Sequence, residues 1–167
     1  LQQTELDALA EAKKCSDKVV VLLNSDYPLE IDALKEDPAV NAILRVGATG
    51  VDGLYGTIRV VSGASNPSGR LTDTFAVSSQ SAPAMQNFGD FTFANADEIH
   101  ATSASKYVVY QEGIYVGYKY YETRYEDCVL NQGNADSAVG ADGAEAWNYT
   151  DAVSYSFGYG LSYTTFE

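Results

Sequence analysis

The chain has 167 residues, 46% of them hydrophobic, which is a globular composition with enough residues for one core. Its net charge of −13 argues against nucleic acid, whose phosphates need clustered Lys and Arg, and against anionic membrane surfaces. The longest apolar run, Val19 to Leu23, falls far short of the roughly 20 residues of a membrane span. A neutral ligand such as a sugar stays compatible. Leu1-Gln2-Gln3-Thr4-Glu5 is too polar for a signal peptide, and the chain opens without Met, so a fragment or processed product is expected. Cys15 and Cys128 lie far apart and His100 is the single histidine. They form neither a disulfide framework nor a zinc pattern, and no metal or cofactor is expected.

The first element predicted is a helix over residues 4–16, with Thr4 and Asp7 as a capping signal and Leu6, Leu9 and Ala10 on the inward stripe. Cys15 falls on that stripe, which predicts a buried thiol. Residues 18–24 read as a strand, apolar on both faces as in a buried parallel sheet. Tyr27-Pro28 breaks it, and Pro28 suits the first turn of a short helix through about residue 35. A second strand is expected over 40–46. Gly47, Gly50 and Gly53 then form a Gly-rich turn into a helix over 54–61. That turn matches neither the Walker A pattern nor the dinucleotide fingerprint, and Asp52 would repel phosphate there.

Asn66-Pro67-Ser68-Gly69 is a turn, with a short strand expected over 71–75. Residues 76–105 read as a long irregular segment carrying Phe88, Phe91 and Phe93, and His100 within it reads as a solvated loop residue. A strand is expected over 107–110 and a helix over 114–124, with Ile114, Gly117, Tyr118 and Tyr121 on one face. Residues 131–146 are low-complexity. An EF-hand loop from Asn134 fails there, because Ala138 and Val139 stand where an oxygen ligand and a Gly are needed. Asn148-Tyr149-Thr150 is a glycosylation sequon, meaningful only in a secreted eukaryotic protein. Residues 155–163 are dense in tyrosine and glycine. Alternating strands and helices indicate an α/β domain of four to six strands.

Three segments carry the reading further. Asn66-Pro67-Ser68-Gly69-Arg70-Leu71 with Thr74-Phe75 comes first. Tyr110-Gln111-Glu112-Gly113-Ile114-Tyr115-Val116-Gly117-Tyr118-Lys119-Tyr120-Tyr121 is second. Phe157-Gly158-Tyr159-Gly160-Leu161-Ser162-Tyr163-Thr164-Thr165-Phe166 is third. In order and spacing they resemble the C-terminal α/β domain of family 3 glycoside hydrolases, the β-glucosidase family. Lys119 stands where Arg is usual, Gly50-Val51-Asp52-Gly53 where Gln-Glu-Gly is usual, and Asp26 where Gly is common.

The resemblance implies a single domain over residues 1–167. Its fold would be a largely parallel sheet flanked by helices, a three-layer α/β sandwich incomplete on its N-terminal side. It implies a portion of a retaining β-glycosidase acting on terminal β-linked sugars. The carboxylate nucleophile would lie on a separate (β/α)8 barrel, absent here, and the acid/base on a segment of the α/β domain ahead of residue 4. No catalytic residue is therefore assigned within residues 1–167, and substrate-binding residues stay unassigned. Glu5 and Glu11 do not match the acid/base motif, and Glu112 is expected to be structural. The expected partners are the barrel of the same parent protein and a glycoside or oligosaccharide, with self-association of the fragment through unpaired strand edges. The segment from Arg70 to Thr74 with Asn87 to Phe91 resembles a bacterial branch in which this domain precedes the barrel, implying a cytoplasmic or secreted bacterial parent. The alternative is a non-catalytic carbohydrate-binding or structural module, with Phe88, Phe91, Phe93 and Trp147 exposed to stack on sugar.

Overall fold

A computed structural model describes residues 1–86, 88–100, 106–110, 112–131, 135 and 147–165. The chain divides into two compact units, one of residues Leu1–Val77 with Val153–Glu167 and the other of Ser78–Ala152.

The first unit opens with α1, Gln3–Cys15. The capping box forms one step earlier than Thr4 and Asp7 suggest: Gln2 is the N-cap and Glu5 reaches back, its Oε2 2.7 Å from the Gln2 amide. The longer Glu side chain spans the first turn, which an Asp cannot do as readily. No residue of α1 is buried, although Leu9 packs against the core. Cys15 is exposed, correcting the expected buried thiol: beyond Leu9 the stripe is alanine and lysine, too short or too polar to pull the last turn inward.

Strand β1, Val19–Leu23, pairs in parallel with β2, Val40–Arg45. The register shifts between Val19 and Val20, and there the Asn41 side chain accepts the Val19 amide at 2.7 Å, standing in for a ladder bond. Between them lies α2, Asp32–Lys35, a single turn. Its N-cap is Ile31, so Pro28 sits outside it rather than in its first turn. Leu23, Ile31, Leu34 and Phe75 form the buried cluster, joined by Leu9, Val21, Leu29, Ile43, Leu71 and Tyr155. β1 is buried on one face only: Val20 and Leu22 are 45% and 46% exposed. A parallel strand is covered on both sides when crossover elements flank it, and α2 serves one side.

After β2 the Gly-rich turn leads into α3, Gly53–Val61, completing the expected strand–turn–helix order. Leu54, Ile58 and Val61 on α3 are exposed. The strand expected over 71–75 shrinks to β3, Phe75–Ala76, antiparallel to β4, Val153–Tyr155. Leu71 leaves the ladder because its amide donates to the Tyr159 carbonyl and its carbonyl accepts from Gly158, both at 2.8 Å. The described residues thus hold one two-stranded parallel sheet and one two-stranded antiparallel sheet.

In the second unit, a 3-10 turn at Ser79–Ser81 and α4, Pro83–Gln86, precede a turn-rich stretch. His100 lies there exposed, with φ 55°. Residues 107–110 form no strand; Tyr107 instead stacks on Phe93 and donates to Asn95. The helix expected over 114–124 is displaced to α5, Tyr118–Leu130. Gly117 is its N-cap at φ 57°, a conformation that breaks any helix running through it. The buried face is consequently Tyr120, Tyr121, Arg124 and Asp127; of the four residues expected there, Tyr121 is on it and Ile114, Gly117 and Tyr118 are not. A last turn, α6, spans Tyr149–Ala152. The low-complexity reading of 131–146 and the EF-hand test fall, except for Asn131 and Ala135, outside the described residues. Asn87, Gln111 and Phe166 of the quoted segments also lie outside them.

Candidate functional site

The first and third segments meet in the first unit. Asn66 is their hub: its Nδ2 donates to Ser162 Oγ at 2.8 Å, and its Oδ1 accepts the Tyr163 amide at 2.7 Å. The Arg70 guanidinium donates to the Gly160 carbonyl, and the Tyr163 hydroxyl donates to the Val60 carbonyl at 2.8 Å. Gly160 has no room for more: a Cβ there would lie 2.6 Å from the Gly69 carbonyl oxygen. Asn66 was legible as part of a turn and of the first quoted segment; its role as a bond hub depends on Ser162 and Tyr163, 96 and 97 positions away.

At the C-terminal ends of β1 and β2, Asp26 and Arg45 brace the Gly-rich turn. Asp26 Oδ1 accepts the Ala48 amide at 3.0 Å, and Arg45 Nη2 donates to the Asp26 carbonyl at 2.8 Å. This gives Asp26 a structural reason where the family resemblance leads one to expect Gly. Beside α2, Ser154 donates to Asp32 at 2.5 Å and Lys35 donates to the Ser154 carbonyl at 3.1 Å. Burial, then the charges of Tyr159 and Asp32, raise the Tyr155 phenol above its ordinary value.

The second segment lies in the second unit. Glu112 is buried and its carbonyl accepts the Tyr115 amide at 2.9 Å. Tyr120 is completely buried and edge-on to Tyr121, whose hydroxyl lies 2.8 Å from Ser81 Oγ. Arg124 donates to the Tyr120 hydroxyl, with its guanidinium over the Trp147 ring at 4.9 Å. Asp127 accepts the Ala135 amide, and Glu122 accepts the Tyr149 hydroxyl at 2.8 Å. Arg124, invisible as a core residue in the sequence, is the cation around which these aromatics gather.

Of the four aromatics offered for sugar stacking, Phe88 and Phe91 are exposed, Phe88 by 77%. Phe93 and Trp147 are half-buried and already engaged, by Tyr107 and Arg124 respectively. Glu5 is occupied in the cap and Glu11 in an exposed pair with Lys14 at 2.6 Å. Among the described residues no three His, Cys, Asp or Glu side chains gather as metal ligands.

Residues 1–118 match the model of the glycosyl hydrolase family 3 C-terminal domain. The chain is 30% identical to beta-glucosidase A of Butyrivibrio fibrisolvens over 166 residues, 99% of this chain and 16% of that protein. It is 34% identical to beta-glucosidase B of Emericella nidulans over 128 residues, 76% of this chain and 12% of that protein. A solved beta-glucosidase from Paenibacillus barengoltzii superposes with TM-score 0.66 at 27% identity, covering 99% of this chain and 14% of that one. The chain therefore spans less than a fifth of the length of these relatives. It belongs to glycosyl hydrolase family 3, as a C-terminal domain of that family.

Proposed function

We propose that residues 1–167 are part of a retaining β-glycosidase that hydrolyses terminal β-linked sugars, glucose foremost. In this reading they form one α/β sandwich domain, incomplete on its N-terminal side, that covers the mouth of a (β/α)8 barrel encoded outside residues 1–167. Nucleophile and acid/base both lie outside residues 1–167, about 5 Å apart as a covalent glycosyl-enzyme intermediate requires. The observation that carries the reading is the alignment with a beta-glucosidase across 99% of the chain. The hydrogen-bonded union of Asn66 and Arg70 with residues 160–163 supports a structural role for those two segments. The occupied states of Glu5 and Glu11 support leaving both out of catalysis.

The test is hydrolysis of nitrophenyl β-glucoside by the 1–167 polypeptide beside the complete gene product. An inactive polypeptide and an active complete protein are expected; turnover by residues 1–167 alone would overturn the placement of both carboxylates. Exposed Phe88, with Phe91 half-exposed beside Phe93, favours a second reading, a carbohydrate-binding module, because apolar sugar faces stack on exposed aromatic rings. Retention of the 1–167 polypeptide on soluble glucan, lost in Phe88→Ala, would support it.

A further inference from the structure

The two loops at the carboxyl end of the parallel pair β1–β2 carry exposed rings. After β1, Tyr27 is 77% exposed, and after β2, Val51 and Tyr55 are exposed as well. Asp26 joins the loops, accepting the Ala48 amide while Arg45 holds its carbonyl. Tyr27 is itself held: the Ser25 hydroxyl donates to its carbonyl at 2.9 Å and accepts from its amide at 3.2 Å. Pro28, next in the chain, restricts Tyr27 to extended angles. The ring thus stands on a fixed backbone, which leaves little to order when a ligand arrives. Asp52 is the N-cap of α3, yet its side chain makes no capping bond, so its carboxylate is available as an acceptor. Asp26 and Gly50-Val51-Asp52-Gly53 are two of the places where the chain departs from the pattern it resembles, and the Asp26–Ala48 bond joins the loops that carry them.

The position of these loops matters. Open α/β sheets take their ligands outside the carboxyl ends of the strands, and α1 shows that the chain enters the unit from that end. Lys13, in the last turn of α1, pairs with Asp37, just ahead of β2. The last turn of α1 therefore lies at the amino end of the strand pair. Its 13 residues span about 20 Å, as do the six residues of β2 at about 3.3 Å each. Leu9, midway along α1, packs on the core cluster with Val21 and Ile43. Gln3 thus falls toward the carboxyl end, the end of Tyr27 and the Gly-rich turn. The resemblance implies an acid/base on a segment ahead of residue 4, and that segment approaches from the side of Tyr27.

From the exposed ring, the joined loops and the entry point of the chain, we propose that Tyr27 stacks on the leaving-group sugar of the substrate and that Asp52 accepts one of its hydroxyls. Both residues determine specificity and take no part in the bond-breaking step. A pyranose lays its apolar face on a phenol ring and turns its hydroxyls toward acceptors at the rim. Asp26 and Asp52 suit a neutral polyhydroxyl ligand, which donates to them, and repel an anion. Contact with a distant part of the substrate raises kcat/KM only for substrates that possess that part, so the complete protein favours β-linked oligosaccharides over glycosides with a small leaving group. The proposal rests on the glycosidase reading above and adds the substrate class.

Kinetics of the complete gene product on cellotriose and on methyl β-glucoside test it. The readout is the ratio of kcat/KM on the first to kcat/KM on the second, which cancels any general damage to the fold. In Tyr27→Ala the ratio should fall about tenfold, and in Tyr27→Trp, which keeps a stacking face, it should return. An unchanged ratio in Tyr27→Ala would overturn the proposal, whether both activities persist or both fall together. Asp52→Asn should lower the ratio about fivefold, and an unchanged ratio there would remove Asp52 from the site. A complete protein that cleaves neither glycoside would sink the glycosidase reading, and calorimetry with cellotriose then decides this one. Binding that is lost in Tyr27→Ala would support the site, and no binding, or equal binding by the variant, would overturn it.

Discussion

The unit of residues 1–77 and 153–167 buries aliphatic side chains, Leu23, Ile31 and Leu34 with Phe75, and keeps the long-range polar bonds around Asn66 and Arg70 near the surface. The unit of residues 78–152 does the reverse. It buries Tyr120, Tyr121, Arg124 and Asp127 on one helix and leaves Val129 and Leu130 of the same helix exposed. The first unit therefore depends on area removed from water. The second depends on buried polar pairs, Arg124 with Tyr120 and Asp127 with the Ala135 amide among them, and losing one partner strands the other at the full desolvation cost.

The sharpest way to break this contrast is at Tyr120. Tyr120→Ala removes a fully buried ring together with an acceptor for Arg124, and a loss of about 3–5 kcal/mol is expected. Trp147 is the one tryptophan of the chain and lies against Arg124, so its fluorescence through a urea titration reports the change. Tyr120→Phe separates the two contributions: the ring stays, the hydroxyl goes, and about 1–2 kcal/mol should be lost. If Phe costs nothing, the second unit is an apolar core like the first and the contrast fails.

An intermediate effect is expected at the joint of the first unit. Gly160→Ala drives a methyl group against the Gly69 carbonyl and the Arg70 side chain, and should cost about 1–3 kcal/mol by calorimetry. A neutral result would mean that residues 69–71 and 158–163 do not need their close approach.

The smallest effect concerns pH. The hydrogen bond from Lys13, then the Ala39 amide, holds the Asp37 carboxyl below its ordinary value. The folded chain therefore binds that proton more weakly than the unfolded chain. The contribution is complete above the unfolded value, near about 4, and fades as pH falls through the lower folded value. The melting-temperature gap between the natural chain and Asp37→Asn should narrow on acidification through that window. A gap that stayed constant would show that the Lys13 contact adds nothing to folding.

The sequence by itself determined the local units and the family. The apolar runs at 19–23 and 40–46 read as strands, the glycines at 47, 50 and 53 read as a turn before α3, and the three quoted segments pointed to family 3. These features depend on neighbours a few positions away, so local patterning carries them. Tertiary structure decided what faced what. Val20 and Leu22 look as buried as Val21 and Leu23 in sequence, and only the side on which α2, Leu9 and Phe75 pack separates them. Residues 107–110 have strand composition, but a strand needs a partner edge, and Phe93 and Asn95 engage Tyr107 instead. The start of α5 moved to Tyr118 because Gly117 takes a positive φ, and the helix then turned Arg124 and Asp127 inward, where residues up to 23 positions distant supply their contacts. Periodicity records which side chains are apolar; it does not record which backbone edges find a partner or which charges find one indoors.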